Sequence, residues 1–296
     1  MSSNTEKQIP LSPPLIKGEE RSSSRAIGVF DSGVGGLSVL HHIRQTLPDE
    51  RLIYVADSGH VPYGDKSPAY IEQRSHQLTR FLIEQGADAI VIACNTATAA
   101  AVASLRNQFS ISIVGMEPAV KPAVAATKNG VVGVLATIGT LESARFAALL
   151  ERYGGEVEII TQGCPGLVEK VEQGELNSPQ TRKLLEQFIA PLLARGADTL
   201  ILGCTHYPFL VPLIREIVGN DLVLIDTGLA VAHQLQRRIQ NERPIGAKPF
   251  DITQPKTGTK PPVQFFTSGD PVQASRIVSA LWGESVIVTR LPQKFL

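Results

Sequence analysis

The chain has 296 residues, of which 43% are apolar, and it carries 28 basic and 28 acidic side chains. This length predicts about two domains, and the balanced charge argues against a protein that binds nucleic acid through a broad positive surface. The odd number of cysteines, three, excludes a disulfide framework and fits the cytoplasm, while no apolar run approaches the ~18 residues of a membrane span and no secretory signal pattern is present.

Two segments lack the pattern of folded elements. Residues 1–25 are rich in serine, proline and charge, which predicts a disordered tail. Residues 241–262 hold five prolines and few apolar side chains, which predicts a long surface loop between a helix and a strand.

Between these segments, short apolar runs alternate with helix-length amphipathic stretches. The predicted strands begin, in chain order, near residues 26, 51, 88, 111, 131, 157, 199 and 222, and two more begin near 263 and 285. Continuous apolar strands that alternate with helices are typical of a mainly parallel sheet covered on both faces. The fold class is therefore α/β.

An internal repeat divides this pattern into two halves. GADAIVIACNT at 86–96 aligns with GADTLILGCTH at 196–206 at an offset of 110 residues, so that Cys94 and Cys204 correspond. More weakly, GVFDSGVGGLS at 28–38 corresponds to GVLATIGTLES at 133–143 at an offset of 105. Self-similarity of this kind predicts two similar α/β lobes.

The two repeated cysteines each follow a predicted strand and precede a predicted helix. Ligands bind outside the carboxyl ends of parallel strands, and the free N–H groups of a helix N-terminus lower the pKa of a thiol. We therefore expect both thiols to be functional and to have a lowered pKa. Polar residues that can cap the helices or contact a ligand follow the cysteines: Asn95, Thr96, Thr205 and His206.

The spacing of the cysteines argues against a metal site and against a dithiol redox centre. The Cys-x2-Cys spacing of a zinc site or a dithiol redox centre is absent, and no Walker pattern appears, so nothing in the sequence predicts a metal or a cofactor. Two thiols at corresponding positions of two lobes suit a racemisation, in which one group removes a proton from one face of a carbon and the other delivers a proton to the opposite face.

The glycine turn DSGVGGLS leaves more than one interpretation open. It begins at Asp31, and Ser38 occupies the place of the third glycine in a dinucleotide-binding loop, which weakens that assignment. The turn can instead bind a small carboxylate through backbone N–H groups. Asp31 can cap the helix, hold an ammonium group or orient a thiol.

Three other features are less specific. The loop DSGHVPYGDKS at 57–67 is either a functional loop or an ordinary surface connection. Cys164 precedes a proline and is predicted to pack structurally. Glu172 lies in the same segment, and the residues alone favour a surface charge there.

Together, the motifs DSGVGGLSVL, YVADSGHVPYGDKS, IACNTATA, GVLATIGT and LGCTHYPFL closely resemble bacterial glutamate racemases, within the aspartate/glutamate racemase superfamily. The resemblance covers about residues 26–290. It implies that Cys94 and Cys204 are two catalytic bases, with Asp31 supporting the first thiol and His206 the second. It also implies that Glu172 is the catalytic carboxylate that follows the Cys164-Pro165 pair by eight residues in the family. The substrate contacts that it implies are Asp31, Ser32, Tyr63, Gly64, Asn95, Thr96, Thr140, Thr205 and His206.

The resemblance also implies the activity and the organisation of the chain. It implies interconversion of L- and D-glutamate for peptidoglycan synthesis without cofactor or metal, by a cytoplasmic homodimer that binds neither nucleic acid nor membrane. The expected fold has two pseudo-symmetric lobes, 26–120 plus 231–296 and 121–230, with the active site in the cleft between them. The alternatives are a racemase of aspartate or another amino acid, a non-catalytic two-lobe module that binds an acidic ligand and, more weakly, a nucleotide-dependent oxidoreductase.

Overall fold

A computed structural model describes residues 26–155, 157–241 and 261–296 of the chain. The predicted tail at 1–25 lies outside the described residues, as does the predicted loop at 241–262 apart from its first and last two residues.

In the described residues, ten parallel strands form two separate sheets. The first sheet has the order β10-β9-β2-β1-β3-β4. The second has the order β6-β5-β7-β8. The strands are β1 (Ala26–Asp31), β2 (Arg51–Ala56), β3 (Ala87–Ile92), β4 (Ser112–Val114), β5 (Val131–Ala136), β6 (Glu158–Gly163), β7 (Thr199–Leu202), β8 (Val223–Ile225), β9 (Val263–Thr267) and β10 (Val288–Arg290).

Helices connect these strands as the alternating pattern predicts. They are α1 (Leu37–Thr46), α2 (Pro68–Glu84), α3 (Asn95–Gln108), α4 (Val120–Ala126), α5 (Ile138–Leu141), α6 (Ala144–Tyr153), α7 (Leu167–Glu172), α8 (Pro179–Ala194), α9 (Val211–Val218), α10 (Gly228–Asn241) and α11 (Pro271–Trp282). Short 3₁₀ turns occupy Tyr63–Asp65, Tyr207–Leu210 and Gln293–Phe295.

The two sheets repeat one strand order, which confirms the duplication seen in the sequence. The order β2-β1-β3-β4 of the first sheet recurs as β6-β5-β7-β8 in the second. The strands β9 and β10 extend the first sheet beyond β2, and this pairing supports the predicted return of the chain to the first lobe. The lobe boundaries near 120 and 231 remain a prediction.

A glycine in the central strand of each sheet lets a helix approach closely. A Cβ atom on Gly28 of β1 would lie 2.9 Å from Leu82 Cβ of α2, and one on Gly133 of β5 would lie 2.9 Å from Leu192 Cδ1 of α8. Both approaches are shorter than carbon atoms tolerate, so neither strand accepts a side chain there.

Helix starts follow their sequence signals. Ser67, Ser178 and Asp270 each accept a hydrogen bond from a backbone N–H of the following helix, and each precedes a proline at the first helical position. In the described part of the chain, none of the helices combines the length and the apolar character needed to cross a membrane.

Candidate active site

Cys94 lies at the N-terminus of α3, as the sequence predicts. It is the cap residue of this helix, and its Sγ accepts a hydrogen bond from Ala97 N–H at 3.4 Å. The same thiol can donate to Ser32 Oγ at 3.9 Å. The side chain is buried, with one contact from Ser32, just after β1, and one from the first turn of α3.

Asp31 is the last residue of β1 and is fully buried. Its Oδ2 accepts hydrogen bonds from Gly36 N–H at 2.8 Å and from Thr205 Oγ1 at 3.4 Å. A Cβ atom on Gly36 would lie 2.7 Å from Asp31 Cβ, so the glycine turn needs this glycine for close approach to the carboxylate. Asp31 thus ties the turn of the first lobe to a residue of the second.

The prediction that a helix N-terminus lowers the pKa of Cys94 is wrong. Burial raises the pKa of this thiol well above its ordinary value, the Asp31 carboxylate raises it further, and the single N–H of Ala97 does not offset them. Burial also raises the pKa of Asp31, against the opposing effect of His206. Cys94 is consequently a protonated thiol at neutral pH.

Cys204 has a different local setting from the one predicted. It lies two residues beyond β7, and a four-residue 3₁₀ turn, Tyr207–Leu210, separates it from α9. It therefore does not cap a regular helix. Instead, its Sγ lies 3.6 Å from His206 Nδ1.

His206 links Cys204 to Glu172. The distance from His206 Nε2 to Glu172 Oε1 is 2.7 Å, and the same carboxylate oxygen accepts a hydrogen bond from Val34 N–H at 2.6 Å. Burial lowers the pKa of His206, but its hydrogen bonds to Cys204 and Glu172 outweigh burial and hold that pKa well above its ordinary value. The result is an imidazolium between the Cys204 sulfur and the Glu172 carboxylate.

Both cysteines line one cavity. Cys94 reaches it from the end of the first sheet and Cys204 from the end of the second. Its lining residues are Ser32, Pro62, Tyr63, Gly64, Cys94, Asn95, Thr96, Thr137, Val168, Cys204, Thr205 and His206. Three residues implied by the resemblance lie behind this lining and contact it by hydrogen bonds: Asp31, Thr140 and Glu172.

Thr137 is a lining residue that the sequence analysis missed. Its Oγ1 lies 2.9 Å from Thr96 Oγ1 and 3.0 Å from Thr140 Oγ1, so three hydroxyls from α3 and the start of α5 form one cluster. The repeat offers the signal that locates it, because the offset of 105 residues aligns Thr137 with Ser32.

Two lining residues differ in what their side chains offer a ligand. The Tyr63 hydroxyl donates to Asp57 Oδ2 at 2.6 Å and so is already engaged, which leaves its ring and backbone to face the cavity. In contrast, both polar side-chain atoms of Asn95 are buried without a hydrogen-bond partner among the described residues. Since buried polar atoms are normally satisfied, Asn95 is poised to bind a ligand.

This arrangement can transfer protons on two sides of a small polar molecule. The thiols come from equivalent positions of two sheets, and each has its own charged support, Asp31 for Cys94 and His206 for Cys204. Among the described residues, no group of three or more His, Cys, Asp or Glu side chains has the geometry to hold a metal ion.

Known proteins share both this sequence and this fold. A family model described as Asp/Glu/Hydantoin racemase matches residues 27–235. A glutamate racemase of Pseudomonas aeruginosa strain UCBPP-PA14 is 55% identical over 269 residues, which cover 90% of this chain and 98% of the relative.

Solved structures of glutamate racemases also match this chain. A glutamate racemase isoform from Bacillus anthracis matches with a TM-score of 0.79 and 31% identity, covering 91% of this chain and 98% of that one. The Escherichia coli glutamate racemase in complex with L-glutamate and the activator UDP-MurNAc-Ala matches with a TM-score of 0.78 and 32% identity, covering 90% of this chain and 98% of that one.

Proposed function

Because the chain belongs to the Asp/Glu/hydantoin racemase family, we infer that it is a glutamate racemase, which interconverts L- and D-glutamate. It is an amino-acid racemase and hence an isomerase. The Pseudomonas aeruginosa relative, which is 55% identical, and the solved structures from Bacillus anthracis and Escherichia coli are all glutamate racemases. The product, D-glutamate, is a building block of peptidoglycan.

We propose that Cys94 and Cys204 are the two bases of this reaction. The observation that carries this assignment is that both thiols are buried and line one cavity, each from the same position of a repeated sheet. A carbon atom held between them presents one face to each sulfur atom. Inversion at that carbon requires groups on both faces, and the cavity supplies them.

The two thiols have different neighbours. Cys204 lies beside the His206 imidazolium, whereas burial and Asp31 raise the pKa of Cys94 and keep it protonated. In one direction, the Cys204 thiolate takes the α-proton while the Cys94 thiol gives its proton to the opposite face. Carbon exchanges one proton for another, and the negative charge moves from one sulfur to the other.

The α-proton of an amino acid is very weakly acidic, so the site must stabilise negative charge on the substrate. We propose that the side chains of Asn95 and Thr96, together with the N-terminus of α3, bind the carboxylate next to the reacting carbon. Preorganised donors in a cavity with little water stabilise such charge better than water does. Ser32, Gly64 and Thr205 complete the proposed contacts to substrate, and Thr140 acts indirectly by holding Thr96.

The proposal is tested by following enantiomer interconversion from either isomer of glutamate. Substitutions Cys94→Ser and Cys204→Ser should each abolish racemisation, because serine is a far weaker acid and a poorer base at neutral pH. Cys164→Ser is the matched control, since Cys164 is also buried but does not line this cavity.

Each alternative predicts a different outcome. Full activity in either cysteine variant contradicts the two-thiol assignment. A higher rate on aspartate than on glutamate contradicts the substrate assignment. A binding module would show affinity for glutamate without interconversion, and its affinity would not respond to the cysteine substitutions.

Two further proposals come from the family resemblance. We propose that the protein is a homodimer, which sedimentation equilibrium would establish from the mass of the particle. We also propose that it works in the cytoplasm, where its three reduced cysteines are stable. Cell fractionation tests that location.

A further inference from the structure

The tripeptide Asp-Ser-Gly ends two neighbouring strands of the first sheet. Asp31 ends β1, and Asp57 follows β2, with its backbone N–H donating to Asp31 O at 3.0 Å. The first aspartate lies behind the catalytic cavity and contacts its lining. The second points to a different set of partners, which the proposed reaction does not use directly.

The Asp57 carboxylate is fully buried and is held by three hydrogen bonds. Arg74 donates twice, from Nε at 3.0 Å and from Nη2 at 2.7 Å, and Tyr63 donates its hydroxyl at 2.6 Å. A buried ion pair pays a desolvation cost that often equals its attraction, so burial alone does not make it a source of stability. A bidentate pair does impose a fixed geometry on the groups attached to it.

Arg74 is itself fixed at its other donors. Nη1 donates to Gln77 Oε1 at 2.6 Å, and Nη2 also donates to Phe295 O at 3.0 Å. Arg74 therefore joins helix α2, the end of β2 and the 3₁₀ turn that follows β10. Among the described residues, Tyr63 is the element of this network that also lines the catalytic cavity.

Pro62, Tyr63 and Gly64 form one wall of the cavity, and Tyr63 connects this wall to Asp57. This wall presses against the second lobe: a Cβ atom on Gly64 would lie 3.0 Å from Thr137 Cβ, and one on Gly139 would lie 3.1 Å from Gly64 O. Gly64 and Thr137 are in close contact, so a shift of the Tyr63 ring would displace Gly64 relative to the hydroxyl cluster to which Thr137 belongs. Burial and Asp57 raise the pKa of Tyr63 well above its ordinary value, so its hydroxyl stays a donor.

We propose that Asp57 and Arg74 are positioning residues for racemisation, which act through Tyr63 to hold the Pro62–Gly64 wall at the width that fits the substrate. This inference rests on the proposed function. The network touches the wall and not the thiols, so its loss weakens substrate binding while the proton transfers keep their geometry.

The test compares Tyr63→Phe and Arg74→Lys with the wild-type enzyme. Phenylalanine keeps the ring and removes only the hydrogen bond to Asp57, and lysine keeps the charge but loses the two-pronged geometry. Each variant should raise KM for glutamate about tenfold while kcat changes less than about threefold, in keeping with loss of a hydrogen bond to a charged group. Backbone amides of the loop at 58–67 should exchange hydrogen faster in both variants.

The control is Lys294→Ala. Lys294 also ties the segment after β10 to α2, through Glu84 Oε2 at 2.7 Å, but this pair is exposed and does not touch Asp57. This variant should keep the wild-type KM and the wild-type exchange of the loop.

Several results would overturn the inference. Wild-type KM in folded Tyr63→Phe, or a fall in kcat at constant KM, would contradict it, as would a lower melting temperature with unchanged kinetics and loop exchange. If Arg74→Lys does not fold, the KM, kcat and loop exchange of Tyr63→Phe alone test the inference. An inactive wild-type enzyme would count against the proposed function, and the exchange of the loop would still decide whether Asp57 and Arg74 hold the wall.

Discussion

The charge of Glu172 should set the pH range in which the second thiol works. Glu172→Gln keeps the size and shape of the side chain, and its amide oxygen can still accept the hydrogen bond from Val34 N–H. It removes the negative charge from the partner of His206. Because the side chains of Glu172 and His206 are only 12% and 1% exposed, water screens this pair weakly.

The size of the expected effect on activity follows from the distance between Glu172 and His206. A hydrogen bond to a charged group contributes about 1.5 to 3 kcal/mol, and His206 Nε2 lies 2.7 Å from Glu172 Oε1. Loss of the charge should lower the pKa of His206, because the hydrogen bond to Glu172 is one of the interactions that raise it. The imidazolium beside Cys204 is then lost at lower pH, so the alkaline limb of activity moves to lower pH.

The assay is kcat/KM for glutamate in both directions across the pH range, followed by circular dichroism. On the alkaline side, Glu172→Gln should be on the order of 10- to 100-fold slower than the wild type. Glu169→Gln is the matched control, since it removes the same charge from the same helix, α7, without contacting His206. Superimposable pH profiles for Glu172→Gln and the wild type would refute the reasoning.

Three other predictions concern separate parts of the molecule. Thr137→Val should raise KM for glutamate about fivefold, because it removes the hydroxyl that bridges Thr96 and Thr140; an unchanged KM would exclude the cluster from binding. Hydrogen bonds from Thr127 and two backbone N–H groups outweigh burial and hold the pKa of Asp198 at about 2, so Asp198→Asn should lower the free energy of unfolding by about 2 kcal/mol at neutral pH, in urea titrations, with normal kinetics. This stability is present above the ordinary pKa of 3.8 and is lost as pH falls through about 2, so a difference from wild type that persists in stronger acid would contradict it. Dialysis against a chelator should leave the rate unchanged, whereas a loss that added metal restores would contradict a metal-free reaction.

Sequence patterns predicted the framework of the site because they report local structure. Apolar runs located all ten strands, and the rule that parallel strands present their carboxyl ends at one edge placed Asp31 near Cys94. The cap position of Cys94 also follows from the residues around it. The pKa of the Cys94 thiol does not, since burial and a carboxylate from another strand outweigh the local effect of the helix N-terminus.

The residues that sequence reasoning missed depend on distant contacts. Arg74 lies within an amphipathic helix and reads as a solvated charge, but Asp57 and the carbonyl of Phe295, 221 residues further along, enclose it. The family resemblance alone places Glu172 at the site, since the residues around it favour a surface charge, and its contacts with His206 and Val34 come from the fold. Thr137, which sequence reasoning missed, has a signal in the sequence through its alignment with Ser32 in the repeat.

The most direct test of the two-thiol mechanism is the position of deuterium early in the reaction. A single enantiomer of glutamate is incubated with the enzyme in D2O, and the recovered substrate and product are analysed separately for deuterium at Cα. With one thiol on each face, the product should carry deuterium from its first appearance while the recovered substrate retains hydrogen. Deuterium that enters the substrate pool as fast as the product, or product that keeps the original hydrogen, would contradict the mechanism.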